Sequence, residues 1–77
     1  MMSARLKYEN LYQTLIDSRR AAGLTQAEVA DRLSRPQSFV SKYEQGERRL
    51  DVIEFVAVCH ALGMDPVEVL KSLMGQE

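Results

Sequence analysis

A chain of 77 residues with 45% hydrophobic residues, 27% charged residues and two prolines suits one small folded domain, whose core buries only about 60% of the surface the unfolded chain exposes. One cysteine, Cys59, and one histidine, His60, leave no internal disulfide and no structural metal site, and no cofactor is expected; no apolar run approaches the roughly 18 residues of a membrane span or forms a signal peptide, so the expected setting is the cytoplasm. The net charge of −1 hides an asymmetry: residues 1–50 carry nine Lys/Arg against six Asp/Glu, net +3, and residues 51–77 carry Lys71 against five carboxylates, net −4, so one half can face phosphate, although such a split is common among soluble domains.

The pattern predicts an all-α domain of five helices over residues 8–74, with residues 1–7 set apart as an N-terminal arm and residues 75–77 as a C-terminal tail. The arm shows no firm periodicity and is either frayed or an extra helical turn. Tyr8, Leu11, Tyr12, Leu15 and Ile16 recur at helical spacing, which predicts a first helix to about Ala22 with Gly23 as its stop. Thr25 and Glu28 form a capping box, so a second helix starts at Gln26 and turns Val29, Ala30 and Leu33 inward. Arg35 is held out of helical geometry by the proline after it. Pro36 is expected to open the third helix as its first residue; Val40 and Tyr43 face inward there, with Phe39 as a candidate third, and Gly46 ends the helix. Asp51 caps a fourth helix to about Leu62, whose expected core face is Val52, Phe55, Val58, Cys59 and Leu62. Gly63 closes it, and Asp65, Pro66 and Glu68 supply cap, first-turn proline and capping glutamate for the fifth.

The second and third helices, spanning Thr25 to Gly46, are two short amphipathic helices with a three- or four-residue break, the spacing of a helix-turn-helix. In that motif the first helix braces on the sugar-phosphate backbone and the second lies in the major groove with its N-terminal side chains on base edges. Ala30 sits where the helices cross, and Val29, Leu33, Val40 and Tyr43 are core residues that fix the joint. The outward set of the third helix is Gln37, Ser38, Ser41, Lys42 and Gln45, rich in donors and free of carboxylates. Gln suits adenine, Lys suits guanine acceptors and Ser serves several bases. An isolated helix with that face is ordinarily just solvated; the capped helix and tight turn before it favour base reading by Gln37, Ser38, Ser41 and Lys42. Phosphate contacts are expected from Gln26, at a helix N-terminus, and from Arg35, Arg48 and Arg49 beside the third helix.

With these residues in place, the chain resembles the phage-repressor type helix-turn-helix family, called Cro/repressor or XRE. The resemblance covers about Leu11 to Leu70 and rests on Arg19, GLTQAEVADRL from Gly23, SFVSKYEQGERR from Ser38 and ALGMDPVEVL from Ala61. It implies a five-helix domain in which Gln26 contacts phosphate and Gln37, Ser38 and Lys42 read bases. It also implies that Arg19 pairs with Glu44, a buried pair that holds orientation more than it adds stability. Arg19, Glu44, Ala30 and Val40 thus support the site rather than touch DNA. The chain departs from the family pattern at the turn: Ser34 stands where glycine is usual, Arg35 where an apolar residue is frequent, and Pro36 where a capping Ser or Thr is common.

Ile53 and Ala57 lie four apart on a face of the fourth helix that the family commonly fills with polar residues. With Val67, Leu73 and Met74 of the fifth, they suggest a two-fold homodimer interface, against the ordinary reading of scattered surface apolars. His60 beside that face reads as solvated rather than as a pH switch, and Cys59 as a small core residue. The leading function is a sequence-specific transcription regulator on a palindromic double-stranded DNA operator. The resemblance permits a phage-like repressor, a restriction-modification controller or an antitoxin-type autoregulator. A chain this short leaves no room for an effector module, so control is expected through concentration, dimerisation or a protein partner. The alternative is a protein-interaction module on the same fold; no nucleophile with its base, metal cluster or phosphate loop points to an enzyme.

Overall fold

The computed structural model describes residues 3–75; residues 1 and 2 of the expected arm and 76 and 77 of the expected tail lie outside them. Helix α1 spans Ala4–Ala21. It starts a turn before the apolar repeat because Ser3, in extended geometry, accepts a hydrogen bond from the Leu6 N–H at 3.3 Å and so satisfies a first-turn donor. Residues 4–7 are therefore the extra helical turn, and they carry no buried residue of their own. Tyr12 and Leu15 are buried, with Tyr8 and Leu11 packed at the edge of the core. Gly23, at φ +71, lets the chain reverse after Ala22: the Gly23 and Leu24 N–H groups return to Arg20 and Arg19 carbonyls.

Helix α2, Gln26–Leu33, has both halves of its capping box, Glu28 N–H to Thr25 Oγ1 at 3.1 Å and Thr25 N–H to Glu28 Oε1 at 3.0 Å. Those bonds hold the Glu28 carboxyl below its ordinary range. Val29 and Ala30 are buried and Leu33 is half-buried. Helix α3, Gln37–Glu44, buries Phe39, Val40 and Tyr43. Pro36 is outside it, correcting the expected first-residue placement. Its φ of −62° suits a helix and an extended chain alike, but its ψ of 152° is extended, so Pro36 is an N-cap without a side-chain acceptor.

Helix α4, Val52–Ala61, is opened by a second capping box, Asp51 with Glu54. Phe55, Val58, Cys59 and the capping Leu62 are buried as expected, but Val52 is 74% exposed. Two facts explain this correction. Val52 lies at the edge of the apolar stripe, and helical side chains lean toward the N-terminus, so at the first position it reaches past the end of the packed layer. Burial pushes the Cys59 thiol up to about 11, in keeping with a core role. Helix α5, Pro66–Met74, is capped by Asp65, which accepts from Val67 N–H at 2.9 Å. Glu68 does not complete a capping box there; it faces Lys71 at 3.5 Å on the exposed side.

Helix α2 packs on α3 and α4, α1 on α3 and α5, and α4 on α5. Ala30, 2% exposed, occupies the α2 core face where a larger side chain would hold α3 away. Arg32 adds a polar tie, its Nη1 donating to the Ala61 carbonyl at 2.8 Å, which joins α2 to the free C-terminal end of α4. The result is an all-α domain among the described residues, with Leu15, Val29, Val40, Tyr43, Val58 and Cys59 fully enclosed.

Candidate nucleic-acid interface

A run of hydrogen bonds crosses three helices and ends on the outward face of α3. Arg19 of α1 donates from Nε to Glu44 Oε2 at 2.7 Å and from Nη2 to Glu44 Oε1 at 3.2 Å, while its Nη1 donates to the Leu24 carbonyl at 2.9 Å. Both side chains are nearly enclosed, at 12% and 6% exposure. A forked, charge-assisted pair in such a place admits one geometry, so it fixes the end of α3 against α1 and the loop before α2. Glu44 Oε1 also accepts from Gln26 Nε2 at 2.9 Å, and Gln26 Oε1 in turn accepts from Gln37 Nε2 at 3.4 Å. The first residues of α2 and α3 are thereby tied to one half-buried carboxylate.

Gln37, Ser38 and Lys42 are exposed, and Ser41 is half-buried with its hydroxyl accepting from Gln45 Nε2 at 3.2 Å. No carboxylate interrupts this set. Lys42 forms no hydrogen bond or ion pair among the described residues, so its ammonium is unspent. The turn before α3 is also defined: Ser34 adopts φ 54°, ψ 42°, and the Arg35 N–H reaches back to the Ala30 carbonyl at 3.0 Å. Ser34 therefore takes the left-handed conformation for which glycine is the natural residue, with an energetic cost but an unaltered path.

The three arginines expected at phosphate differ in what they have left to give. Arg48 is occupied: its Nη1 donates to Glu54 Oε1 at 2.9 Å and to the Arg49 carbonyl at 2.9 Å, and its Nη2 to Glu54 Oε2 at 2.8 Å. Arg35 shares the same carboxylate, Nη2 to Oε2 at 3.3 Å. Both guanidinium groups lie over the Phe39 ring, at 4.6 Å for Arg35 and 4.9 Å for Arg48. The Arg48 hydrogen bond, aided by the Asp51 backbone N–H, pulls the Glu54 carboxyl down to about 2. Glu54 thus links the turn before α3, the segment after α3 and the start of α4, a role sequence reasoning missed although the D-x-x-E spacing from Asp51 was visible. Arg49 is different. Its guanidinium rests 4.2 Å above the Tyr8 ring centroid and makes no hydrogen bond or ion pair among the described residues.

Away from α3, Ile53 is 78% exposed and shares a shallow hollow with Ala57, Leu33, Arg35, Phe39 and Glu54 beside the turn. On α5, Val67 and Met74 are exposed, and so is Leu70, which the sequence reading omitted although it follows Val67 by three residues. Leu73 is half-buried and lines an apolar hollow with Ala4, Lys7, Tyr8 and Leu11. It supports α5 from the α1 side.

A family model described as a helix-turn-helix domain matches residues 13–71. Among solved structures, the chain is similar to an XRE-family like protein from Pseudomonas syringae pv. tomato str. DC3000, with 51% identity, 94% of this chain and 88% of that one covered, and a TM-score of 0.91. It is also similar to the clp gene regulator ClgR from C. glutamicum, with 28% identity, 91% of each chain covered and a TM-score of 0.78. A third likeness is to the restriction-modification controller protein C.AhdI from Aeromonas hydrophila, with 27% identity, 82% of this chain and 91% of that one covered, and a TM-score of 0.66. No curated protein matches the chain.

Proposed function

This chain belongs to the XRE-type helix-turn-helix family, and from that premise we propose that it is a sequence-specific transcription regulator that docks α3 in the major groove of double-stranded DNA. The observation that carries the reading is the tie from half-buried Glu44 through Gln26 to Gln37. A glutamine amide held before DNA arrives loses less freedom on meeting adenine than a free one, which is how a short helix gains selectivity. Gln37, Ser38, Ser41 and Lys42 form the base-reading set. Gln26 and Arg49 hold phosphate, with Arg35 contributing the donors that Glu54 leaves open. Arg48 moves from the phosphate set to the scaffold.

Two copies are expected on one operator, since dimeric readers of this kind place their reading helices about one helical turn apart. The pairing surface we propose comprises Ile53, Ala57, Val67 and Met74, with Leu70 added and Leu73 beneath them. Two structural neighbours are named as a clp gene regulator and a restriction-modification controller, which supports a regulator of genes. Selection of bound sites from random duplexes at fixed salt is the test. An enriched palindrome is expected. Recovery of no preferred sequence would refute the reading and leave a protein-interaction module.

A further inference from the structure

Gln45 caps the C-terminal end of α3 and has no part in the base-reading set, yet it shares the outward face of that helix, seven residues after Ser38, four after Ser41 and three after Lys42. Two hydrogen bonds fasten it to Ser41. Its backbone N–H donates to the Ser41 carbonyl at 3.0 Å, and its side-chain Nε2 donates to the Ser41 hydroxyl oxygen at 3.2 Å. The side-chain bond constrains what Ser41 can offer. A serine hydroxyl has one hydrogen and two lone pairs, and within a helix that hydrogen can go to the carbonyl four residues back, as in Thr14, which donates to the Asn10 carbonyl at 2.9 Å. Ser41 does not do this. Among the described residues its O–H donates to no carbonyl or side chain, while its oxygen is engaged by Gln45.

An amide N–H that occupies a lone pair turns the hydroxyl hydrogen away from itself. We propose that Gln45 is a positioning residue for base reading: it makes the Ser41 hydroxyl a directed donor, so that Ser41 selects guanine or thymine over cytosine at the base pair it meets. Guanine O6 and N7 and thymine O4 accept a hydrogen bond in the major groove, whereas cytosine presents only an amino donor. A serine free to rotate serves both kinds of edge, since it can donate or accept. Gln45 thereby gives a sequence preference to a side chain that has little of its own, and it does so through Ser41 rather than by touching DNA. The proposal rests on the DNA-binding reading above and deepens it, and its test separates the two.

Affinity of the full chain is measured at fixed salt on its selected operator and on duplexes in which each read guanine or thymine is exchanged in turn for cytosine. Ser41→Ala identifies the pair that Ser41 meets, as the one whose preference it relaxes. At that pair Gln45→Ala should shrink the preference over cytosine by about 2- to 10-fold, the worth of one hydrogen bond, with the other pairs and the salt slope unchanged. In the Ser41→Ala background Gln45→Ala should change nothing further. Gln45→Glu should move the preference toward cytosine, because a carboxylate only accepts and turns the Ser41 hydrogen inward, leaving lone pairs for the cytosine amino group. The added charge weakens binding to every sequence, so the readout is the ratio between bases at one pair. Circular dichroism establishes that each variant folds. A Gln45→Ala effect that persists in the Ser41→Ala background would mean that Gln45 meets DNA itself, and the proposal falls. It falls equally if Ser41→Ala relaxes no pair, if Gln45→Ala leaves the ratio unchanged, or if Gln45→Glu fails to raise cytosine. In those cases the DNA reading stands as long as Gln37→Ala relaxes its own pair. Wild-type protein that prefers no sequence overturns both.

Discussion

Glu54→Gln tests whether the contacts around the turn hold the domain together. The carboxylate accepts two hydrogen bonds from Arg48, one from Arg35 and one from the Asp51 backbone N–H. Glutamine keeps one oxygen, enough for the Asp51 cap, but sets an NH2 against the arginine fork. The Glu54 carboxyl falls from an ordinary 4.5 to about 2 in the folded protein, which corresponds to about 3 kcal/mol of preference for the ionised form. The two arginine side chains are 45% and 38% exposed, so solvent screening reduces the loss to about 2 kcal/mol. For a chain of this length that lowers Tm by about 8 to 16 °C. Because the folded value is the lower one, the stabilisation is complete above about pH 5 and fades as pH falls toward 2. Urea unfolding of wild type and variant at pH 7, 4 and 3 is the assay: the full gap is expected at pH 7 and less than half of it at pH 3. A gap under about 0.5 kcal/mol at pH 7, or one that stays constant down to pH 3, would refute the reasoning.

The other predictions concern reading, backbone and assembly. Gln37→Ala and Lys42→Ala should relax base preference by about 1 to 3 kcal/mol at the bases they meet, whereas Arg48→Ala should cost stability and leave the salt slope within error; parallel selections and salt titrations distinguish them, and a slope lowered by about 1 in Arg48→Ala would return it to phosphate. Ser34→Gly should stabilise the fold by about 0.5 to 1 kcal/mol, because the left-handed turn no longer strains a Cβ; chemical denaturation checks it, and a loss of stability would contradict the turn geometry. Leu70→Asp and Ile53→Asp should each yield a monomer by sedimentation with unchanged helicity. A dimer that survives both substitutions would remove these surfaces from the pairing model.

Local chemistry explains what was legible along the chain. Thr25 with Glu28 declares the start of α2 because both hydrogen bonds of a capping box close within four residues. The stops at Gly23, Gly46 and Gly63 follow from positive φ values, +71, +77 and +73, that other residues adopt with difficulty. Resemblance added Arg19 with Glu44, twenty-five residues apart and beyond the reach of periodicity. Pro36 shows where such reasoning ends, since its ring sets φ and leaves ψ to the path of the turn. Val52 shows the same limit at a helix end, where an apolar residue at the stripe edge has no neighbour to cover it.

By itself the amino-acid order determined five helices, the N-caps of α2, α4 and α5, the crossing at Ala30 and the polar face of α3, because each depends on spacing within a few residues. Tertiary structure alone decided the state of each cation. Arg48 and Arg49 are adjacent and chemically identical, yet one is spent on Glu54 and the other lies open on Tyr8. That difference arises from how α1, α3 and α4 bring distant side chains within hydrogen-bonding or stacking distance, and no local pattern encodes it.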